Sequence, residues 1–283
     1  MINLTAYFDR DLTLYIINRW KIMKHNLSIA LALSILFPAA SQAISVEDRG
    51  REIAIEIDRR DQGWGDQQAT THMILRNRQG QESKRMTRSL SLEVEGDGDK
   101  ALILFDFPKD IKGTALLSFT HPVTADDQWL YLPALKRVKR ISSSNKSGPF
   151  MGSEFAFEDI TSQEVEKFSY KYLRDEEIEG RNVFVIERYP LYENSGYVRQ
   201  IVWVDKLMYQ PIKTEFYDRK NSLLKTLTQS EYSQYLSQYW RPNRMEMVNH
   251  QNGKSTTLHW GNYQLRTGLS ERDFDKSRLK RSR

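Results

Sequence analysis

Apolar and polar residues alternate along most of the chain after Gly65, in short segments separated by turn residues about every ten positions. A period of two, carried by β-branched and aromatic residues, is typical of strands that bury one face. The alternation predicts thirteen strands, at residues 68–77, 84–94, 101–107, 115–120, 128–132, 137–142, 166–173, 183–188, 197–204, 211–217, 223–232, 244–249 and 255–263.

Short turns join these segments, and no long helical pattern separates them. This arrangement favours an antiparallel meander over alternating strand–helix–strand units. A sheet of ten or more strands must curl, and curling produces a concave face that a helix can plug. We therefore expect a mainly β (α+β) fold with a curved antiparallel sheet, formed as one domain by residues 44–275.

One amphipathic helix precedes the strands. Ser45 and Asp48 resemble a capping box, and Val46, Ile53 and Ile57 then recur with helical spacing until Gly63. Charged residues occupy the other face, so the apolar face must be buried against the sheet.

The N-terminal region has the pattern of a secretory signal peptide. Lys24 and His25 precede an apolar run over residues 27–38, and the small residues that follow end at Ala43. The run is shorter than the roughly 20 residues of a membrane span. We expect residues 1–22 to be a non-native extension, Met23 to start the protein, and residues 23–43 to be a signal peptide cleaved after Ala43. This predicts a periplasmic protein.

The composition of the chain excludes several classes of function. The 283 residues include 42 Lys and Arg against 37 Asp and Glu, and no cysteine. A net charge of +5 spread over so many charged side chains does not indicate a nucleic-acid binder. The absence of cysteine excludes disulfides, thiolate metal sites and a cysteine nucleophile, and it suits an oxidising periplasm.

No motif of hydrolytic or metal chemistry stands out. Glu95, Asp97 and Asp99 imitate the start of a calcium loop, but Lys100 stands where the loop requires glycine. The histidines are scattered, without His-Glu-x-x-His spacing, and there is no Gly-x-Ser-x-Gly sequence or glycine-rich phosphate loop. We expect a non-enzymatic protein with neither metal nor cofactor.

Two central stretches carry a resemblance to a known family. They are the segment 127–141, DQWLYLPALKRVKRI, and the segment 150–160, FMGSEFAFEDI, with upstream support from 107–114 and Leu117. The chain resembles the outer membrane lipoprotein-sorting protein family, whose members are similar to the periplasmic lipoprotein carrier LolA. The resemblance implies a half-open β-barrel of about eleven strands, plugged by helices, that encloses an apolar cavity for lipid or lipoprotein acyl chains. It also implies a partner, an inner-membrane exporter of the RND/MMPL type.

Apolar side chains are the candidates for the cavity lining. Trp129 and Tyr131 occupy one face of their strand, while Leu130 and Leu132 occupy the other, so both faces must be covered. Core and cavity wall use the same side chains, and the sequence leaves both readings open. The predicted lining is Ile53, Ile57, Phe105, Phe107, Leu117, Phe119, Trp129, Tyr131, Phe155 and Phe157.

Two further segments have alternative interpretations. The aromatic loop around Phe155 is either a mobile lid or a loop tucked under the sheet. The basic cluster, Lys136, Arg137, Lys139 and Arg140, is either a solvated strand end or a surface for anionic headgroups or a membrane partner. Residues 276–283 are predicted to form a basic flexible tail.

The leading hypothesis is a monomeric periplasmic carrier, or chaperone, of a Gram-negative bacterium. It would shield acyl chains and move them between membranes. The alternative is an accessory subunit of an RND/MMPL-type exporter that carries nothing.

Overall fold

The computed structural model describes residues 44–281, so the predicted extension and signal peptide lie outside the described residues. Within this range, one α-helix precedes a single thirteen-stranded sheet. The helix is α1 (Val46–Asp61), and the strands are β1 (Asp66–Arg76), β2 (Glu82–Leu92), β3 (Lys100–Phe107), β4 (Ala115–Phe119), β5 (Asp127–Leu132), β6 (Arg137–Arg140), β7 (Phe168–Ile178), β8 (Arg181–Pro190), β9 (Tyr197–Asp205), β10 (Pro211–Asp218), β11 (Leu223–Tyr235), β12 (Tyr239–Asn249) and β13 (Ser255–Leu265).

All neighbouring strands are antiparallel, in the order β6-β5-β4-β3-β2-β1-β13-β12-β11-β10-β9-β8-β7. The sheet does not close, because β6 and β7 are its two edges. The alternation therefore predicted the strands and their antiparallel pairing correctly. The count of about eleven that the resemblance implied is corrected to thirteen.

Helix α1 begins where the capping residues predicted. The Ser45 hydroxyl accepts a hydrogen bond from the Asp48 amide at 3.0 Å and donates one to the Asp48 carboxylate at 2.7 Å. Ile53 and Ala54 are buried against the inner faces of β7, β8 and β9. At Gly50 the helix passes so close to β7 that a Cβ atom would lie 2.7 Å from the Tyr172 amide nitrogen. The missing side chain thus fixes how closely helix and strand approach.

The inner face of the sheet holds the largest core. The loop of residues 141–160 carries Phe150, Phe155 and Phe157 into the sheet, where they meet Phe105 and Leu116. The rings of Phe150 and Phe157 lie 5.6 Å apart, edge to face. Because these aromatic side chains fill the space between strands, this loop acts as an internal plug, and we refer to residues 141–160 as the plug.

The outer face of β3, β4 and β5 is covered by the end of the chain. Phe274 and Leu279 are each 1% exposed and pack against Leu102, Leu104 and Leu117. The segment Lys276–Arg281 forms a 3-10 helix. The predicted flexible tail is corrected here: the outer face is as apolar as the inner one, so residues up to 281 are needed to cover it.

Candidate functional site

A cavity of about 960 Å³ lies on the inner face of the sheet, between α1, the plug and the strands β8 to β12. Much of its wall is apolar. The apolar lining includes Ala54, Ile57, Val165, Ile186, Val202, Phe216, Leu227 and Met245.

Strand alternation explains this wall. On β9, Val202 and Val204 face inward to the helix, whereas Trp203 faces outward and packs with Val183 and Val185. Apolar side chains are therefore buried on both faces of β8 and β9. Helix α1 covers only part of the inner face, since Ile53 is buried at the contact while Ile57, one turn later, borders the cavity. The space that α1 and the plug leave between them is the cavity.

Carboxylates surround the more exposed side of the cavity. We call this set the acidic mouth: Asp58, Asp61, Glu93, Glu95, Asp97, Asp99, Glu164 and Glu166. Asp61 is paired with Arg241 at 2.5 Å, and Asp97 with His121 at 2.9 Å. The Glu93 carboxylate accepts hydrogen bonds from the amides of Gly63 and Gly65 at 2.6 and 2.7 Å. This contact holds the end of α1 against the turn after β2.

Burial and mutual repulsion disfavour the charged form of several of these groups. Burial raises the pKa of Asp99 to about 7; the charges of Glu164, Glu93 and Asp61 add to the rise, and the Ser162 hydroxyl opposes it. Burial likewise raises the pKa of Asp58, Asp61 and Glu164. The charged form of these four carboxylates is therefore less favourable than that of an ordinary carboxylate in water.

The other end of the lining is formed by Arg188 and Asp159. The Asp159 carboxylate accepts hydrogen bonds from Lys225 Nζ at 2.6 Å and from the Tyr197 hydroxyl at 2.8 Å. Arg188 Nε donates to the Gln200 side chain at 2.8 Å, and its guanidinium lies 4.6 Å from the centroid of the Phe168 ring. Burial lowers the pKa of Arg188.

The plug is anchored by a second buried carboxylate. Glu158 accepts hydrogen bonds from the hydroxyls of Tyr192 and Ser195 and from the Gly196 amide, at 2.8 to 2.9 Å. Together with the pair of Asp159 and Lys225, these bonds attach the plug to the loop between β8 and β9 and to β11. Of the two interpretations of the aromatic loop, the structure shows the loop tucked under the sheet.

Six of the predicted lining residues face inward or lie on the plug side of the sheet, but only Ile57 borders the cavity. Ile53 is buried at the contact between α1 and the sheet. Phe105, Phe155 and Phe157 belong to the solid core around the plug, where neighbouring side chains occupy the space. Phe107, at the end of β3, is 49% exposed.

The other four predicted lining residues lie on the outer face. Leu117, Phe119, Trp129 and Tyr131 pack together under the C-terminal segment, and the rings of Phe119 and Trp129 are 5.2 Å apart. Leu130, by contrast, faces the inner core. Alternation separated the two faces correctly, but it did not identify which of them looks toward the cavity.

The basic cluster lies on and beside the edge strand β6, and its four side chains are exposed. Arg140 is paired with Asp127 of the neighbouring strand. Lys136 adopts a left-handed backbone conformation just before the strand, with φ of 47°. The cluster is accessible to a charged partner.

Sequence reasoning missed the charged part of the cavity. The acidic residues of the hairpin between β2 and β3 were interpreted only as a failed calcium loop, and the hairpin itself is confirmed. A signal for Arg188 existed, because on β8 it follows the inward-facing Phe184 and Ile186 with strand periodicity. Residues brought in from α1 and from the plug could not have been assigned by periodicity.

A second cavity of about 570 Å³ lies at the opposite ends of the same strands, beyond the plug. Its lining includes the cationic side chains of Arg219, Lys220, Lys225 and Lys254, and the carboxylates of Glu154 and Asp218. Within residues 44–281, no helix has the length and apolar character needed to cross a membrane. The same part of the chain contains no group of three or more acidic or histidine side chains that could hold a metal ion.

Comparison with known proteins identifies the relatives of this chain. A family model described as "-like: Uncharacterized protein" matches residues 97–281. A crystal structure from Vibrio parahaemolyticus, described as an outer membrane lipoprotein-sorting protein domain, is 58% identical, with a TM-score of 0.81; the match covers 83% of this chain and 99% of that one. Curated protein sequences gave no match.

Two further solved structures extend the comparison. A DUF1329 family protein from Desulfovibrio piger is 30% identical, with a TM-score of 0.79. A LolA superfamily protein from Nitrosomonas europaea is 21% identical, with a TM-score of 0.66, and shows the fold alone. Each match covers 83% of this chain and 99% of the other. The chain therefore belongs to the outer membrane lipoprotein-sorting protein family, and its unclosed sheet has the LolA-like fold.

Proposed function

We propose that the protein is a non-enzymatic periplasmic carrier that encloses lipid or lipoprotein acyl chains and moves them between membranes. The observation that carries this proposal is the cavity of about 960 Å³ with its apolar wall. Its volume lies near the upper end of the roughly 300–1,000 Å³ typical of ligand sites. An acyl chain gains about 0.8 kcal/mol for each CH₂ group removed from water, so such a wall supplies the binding energy.

The placement of the cavity supports the same function. It lies between an edge-covering helix and a sheet that does not close, so a chain can enter without breaking strand pairing. The family relationship to a lipoprotein-sorting domain and the LolA-like fold agree with a carrier. The signal-peptide pattern before residue 44 agrees with a periplasmic site of action.

The basic cluster is the proposed contact with membranes. Four exposed cations stand on and beside a single edge strand, and each cation near an anionic surface contributes about 1 kcal/mol. The surface could equally receive an acidic patch of a membrane exporter. Docking on an exporter without a carried lipid is the alternative function.

A cavity-filling variant tests the carrier. Gln229 borders the cavity on β11, and Thr228, its neighbour, is exposed on the opposite face. We expect Gln229→Trp to lower the affinity for a fluorescent acyl probe at least about tenfold, because the indole occupies space that the chain needs. Thr228→Trp is the matched control and should bind like the unaltered protein.

Extraction of protein purified from a bacterial periplasm, followed by mass spectrometry, shows whether a lipid is carried and which one. If the purified protein contains no lipid and takes up no probe, the proposed carrier function is contradicted. In that case, crosslinking from the basic cluster to a membrane protein would favour the accessory subunit.

A further inference from the structure

Arg188 stands out among the charged residues of the cavity. It is the one cationic residue in the lining, against nine carboxylates, within the part of the chain that the structure describes. It forms no ion pair with any described residue. Only Nε has a hydrogen-bond partner, the Gln200 side chain, which is neutral.

A guanidinium in this position is costly without an anion. Removing a charge from water is unfavourable unless a counter-charge or several hydrogen bonds replace the lost hydration. The carboxylate with which Arg188 shares its end of the cavity is Asp159, and that group is already bound by Lys225 and Tyr197. Phe168 supports one face of the guanidinium plane. The terminal nitrogens of the guanidinium thus keep free N–H donors, and the planar group is held in a fixed orientation. This arrangement suits a carboxylate or a phosphate.

We propose that Arg188 binds the anionic group, carboxylate or phosphate, of the amphiphile held in the cavity. This inference rests on the proposed carrier function. The chain attached to the anion then lies along Ile186, Val202, Phe216 and Leu227, which line the same cavity.

The acidic mouth fixes where the anion can be. An anion resting among Glu93, Glu95 and Glu166 would be repelled by several carboxylates, whereas at Arg188 it meets the single cation. The separation of charge along the cavity therefore orients the ligand with its anion inward. It also discriminates against amphiphiles whose anionic group must remain at the entrance.

The test compares two ligands with the same chain, dodecanoate and dodecanol. We expect the unaltered protein to bind dodecanoate at least about tenfold more tightly than dodecanol, because only the anion reaches Arg188. Arg188→Gln should remove this preference while leaving the affinity for dodecanol within about twofold, and retained dodecanol binding shows that the variant is folded. Arg188→Lys should keep part of the preference, since it keeps the charge but loses the planar pair of donors.

Arg174→Gln is the matched control, because Arg174 is an exposed arginine of β7 outside the cavity lining. An excess of inorganic phosphate tests whether the anion binds without a chain, and we expect it not to displace dodecanoate. Equal affinities for dodecanoate and dodecanol in the unaltered protein would overturn the inference and leave the carrier intact. If the protein binds neither ligand, the proposed carrier function itself is contradicted. If phosphate alone displaces dodecanoate, Arg188 binds a free anion and not the anionic group of an amphiphile.

Discussion

At the scale of single residues, the cavity is bordered by carboxylates whose pKa is raised. Asp99 accepts a hydrogen bond from the Ser162 hydroxyl at 2.9 Å, yet burial raises its pKa to about 7. The folded protein therefore binds a proton at Asp99 between about pH 4 and 7 that the unfolded chain, with an ordinary carboxyl, releases. Stability must fall as pH rises through this window, because the folded state binds more protons.

The variant Asp99→Asn tests this linkage. An amide cannot ionise and can still accept from Ser162, so we expect the variant to be more stable than the unaltered protein at pH 8, by on the order of 2 kcal/mol, and about equal at pH 4. Urea unfolding at the two pH values measures the difference. Asp97→Asn is the control. Its hydrogen bond to His121 lowers the pKa of Asp97, so this variant should be less stable than the unaltered protein at pH 8. A gain for Asp99→Asn that is the same at both pH values would contradict the mechanism.

The sequence permitted a correct assignment of side chains to strand faces, but not of the faces to their surroundings. Trp129 and Tyr131 lie on one face and Leu130 on the other, as alternation predicts. Which face looks toward α1, and which is covered by Phe274, depends on the curvature of the sheet and on segments distant in sequence. Local periodicity contains neither piece of information.

At the scale of elements, α1 is where local preference and packing oppose each other. Alanine is favoured over glycine in a helix by about 1 kcal/mol, so propensity alone predicts that Gly50→Ala stabilises. The structure predicts the reverse, because the new Cβ would lie under 3 Å from the backbone of Lys171 and Tyr172.

We expect Gly50→Ala to lower the free energy of unfolding by about 1–3 kcal/mol, since a rigid backbone cannot move aside without separating α1 from β7. Chemical denaturation measures it. Glu52→Ala, at an exposed position of the same helix, is the control and should change stability by less than about 0.5 kcal/mol. Stabilisation by Gly50→Ala would mean that α1 does not pack against β7 as described.

The C-terminal segment is the element that sequence reasoning misjudged, and its role can be measured. Phe274 is almost completely buried over Leu102 and Leu117. We expect Phe274→Ala to cost about 3–5 kcal/mol, the usual effect of removing a buried aromatic ring. Acyl binding at saturation should be unchanged while the variant is folded, because this contact lies on the face opposite the cavity. Leu135→Ala, at a residue 63% exposed, is the control with little expected effect.

Much of the element pattern could be predicted, for particular physical reasons. The Ser45 cap, the apolar spacing of Ile53 and Ala54, and the strand alternation are local signals, and each is confirmed. The plug and the C-terminal cover consist of short 3-10 turns with no regular period. Their burial comes from the shape of the sheet, which no local pattern describes. The same limitation left Arg188 unassigned in the sequence.

At the scale of the whole molecule, the single sheet connects the cavity to the hydrophobic cores on both of its faces. The strands β8 to β12 border the cavity on one side, and β9 and β11 also anchor the plug through Tyr197 and Lys225. The plug in turn packs on Phe105 and Leu116 of β3 and β4, whose outer faces hold the C-terminal segment. A ligand in the cavity therefore stabilises strands that support the entire described chain.

This coupling predicts that ligand binding raises the stability of residues 44–281 as one unit. With ligand at 100 times its dissociation constant, the free energy of unfolding should rise by about 2.7 kcal/mol. Because unfolding is cooperative, circular dichroism and tryptophan fluorescence should agree on the midpoint in each condition. Dodecanoate should shift the midpoint by the same amount for both probes. Gln229→Trp should show little shift at the same ligand concentration, since its cavity is filled. Two separate transitions, with only one moved by ligand, would instead show that the cavity-bearing strands unfold independently of β3 to β6.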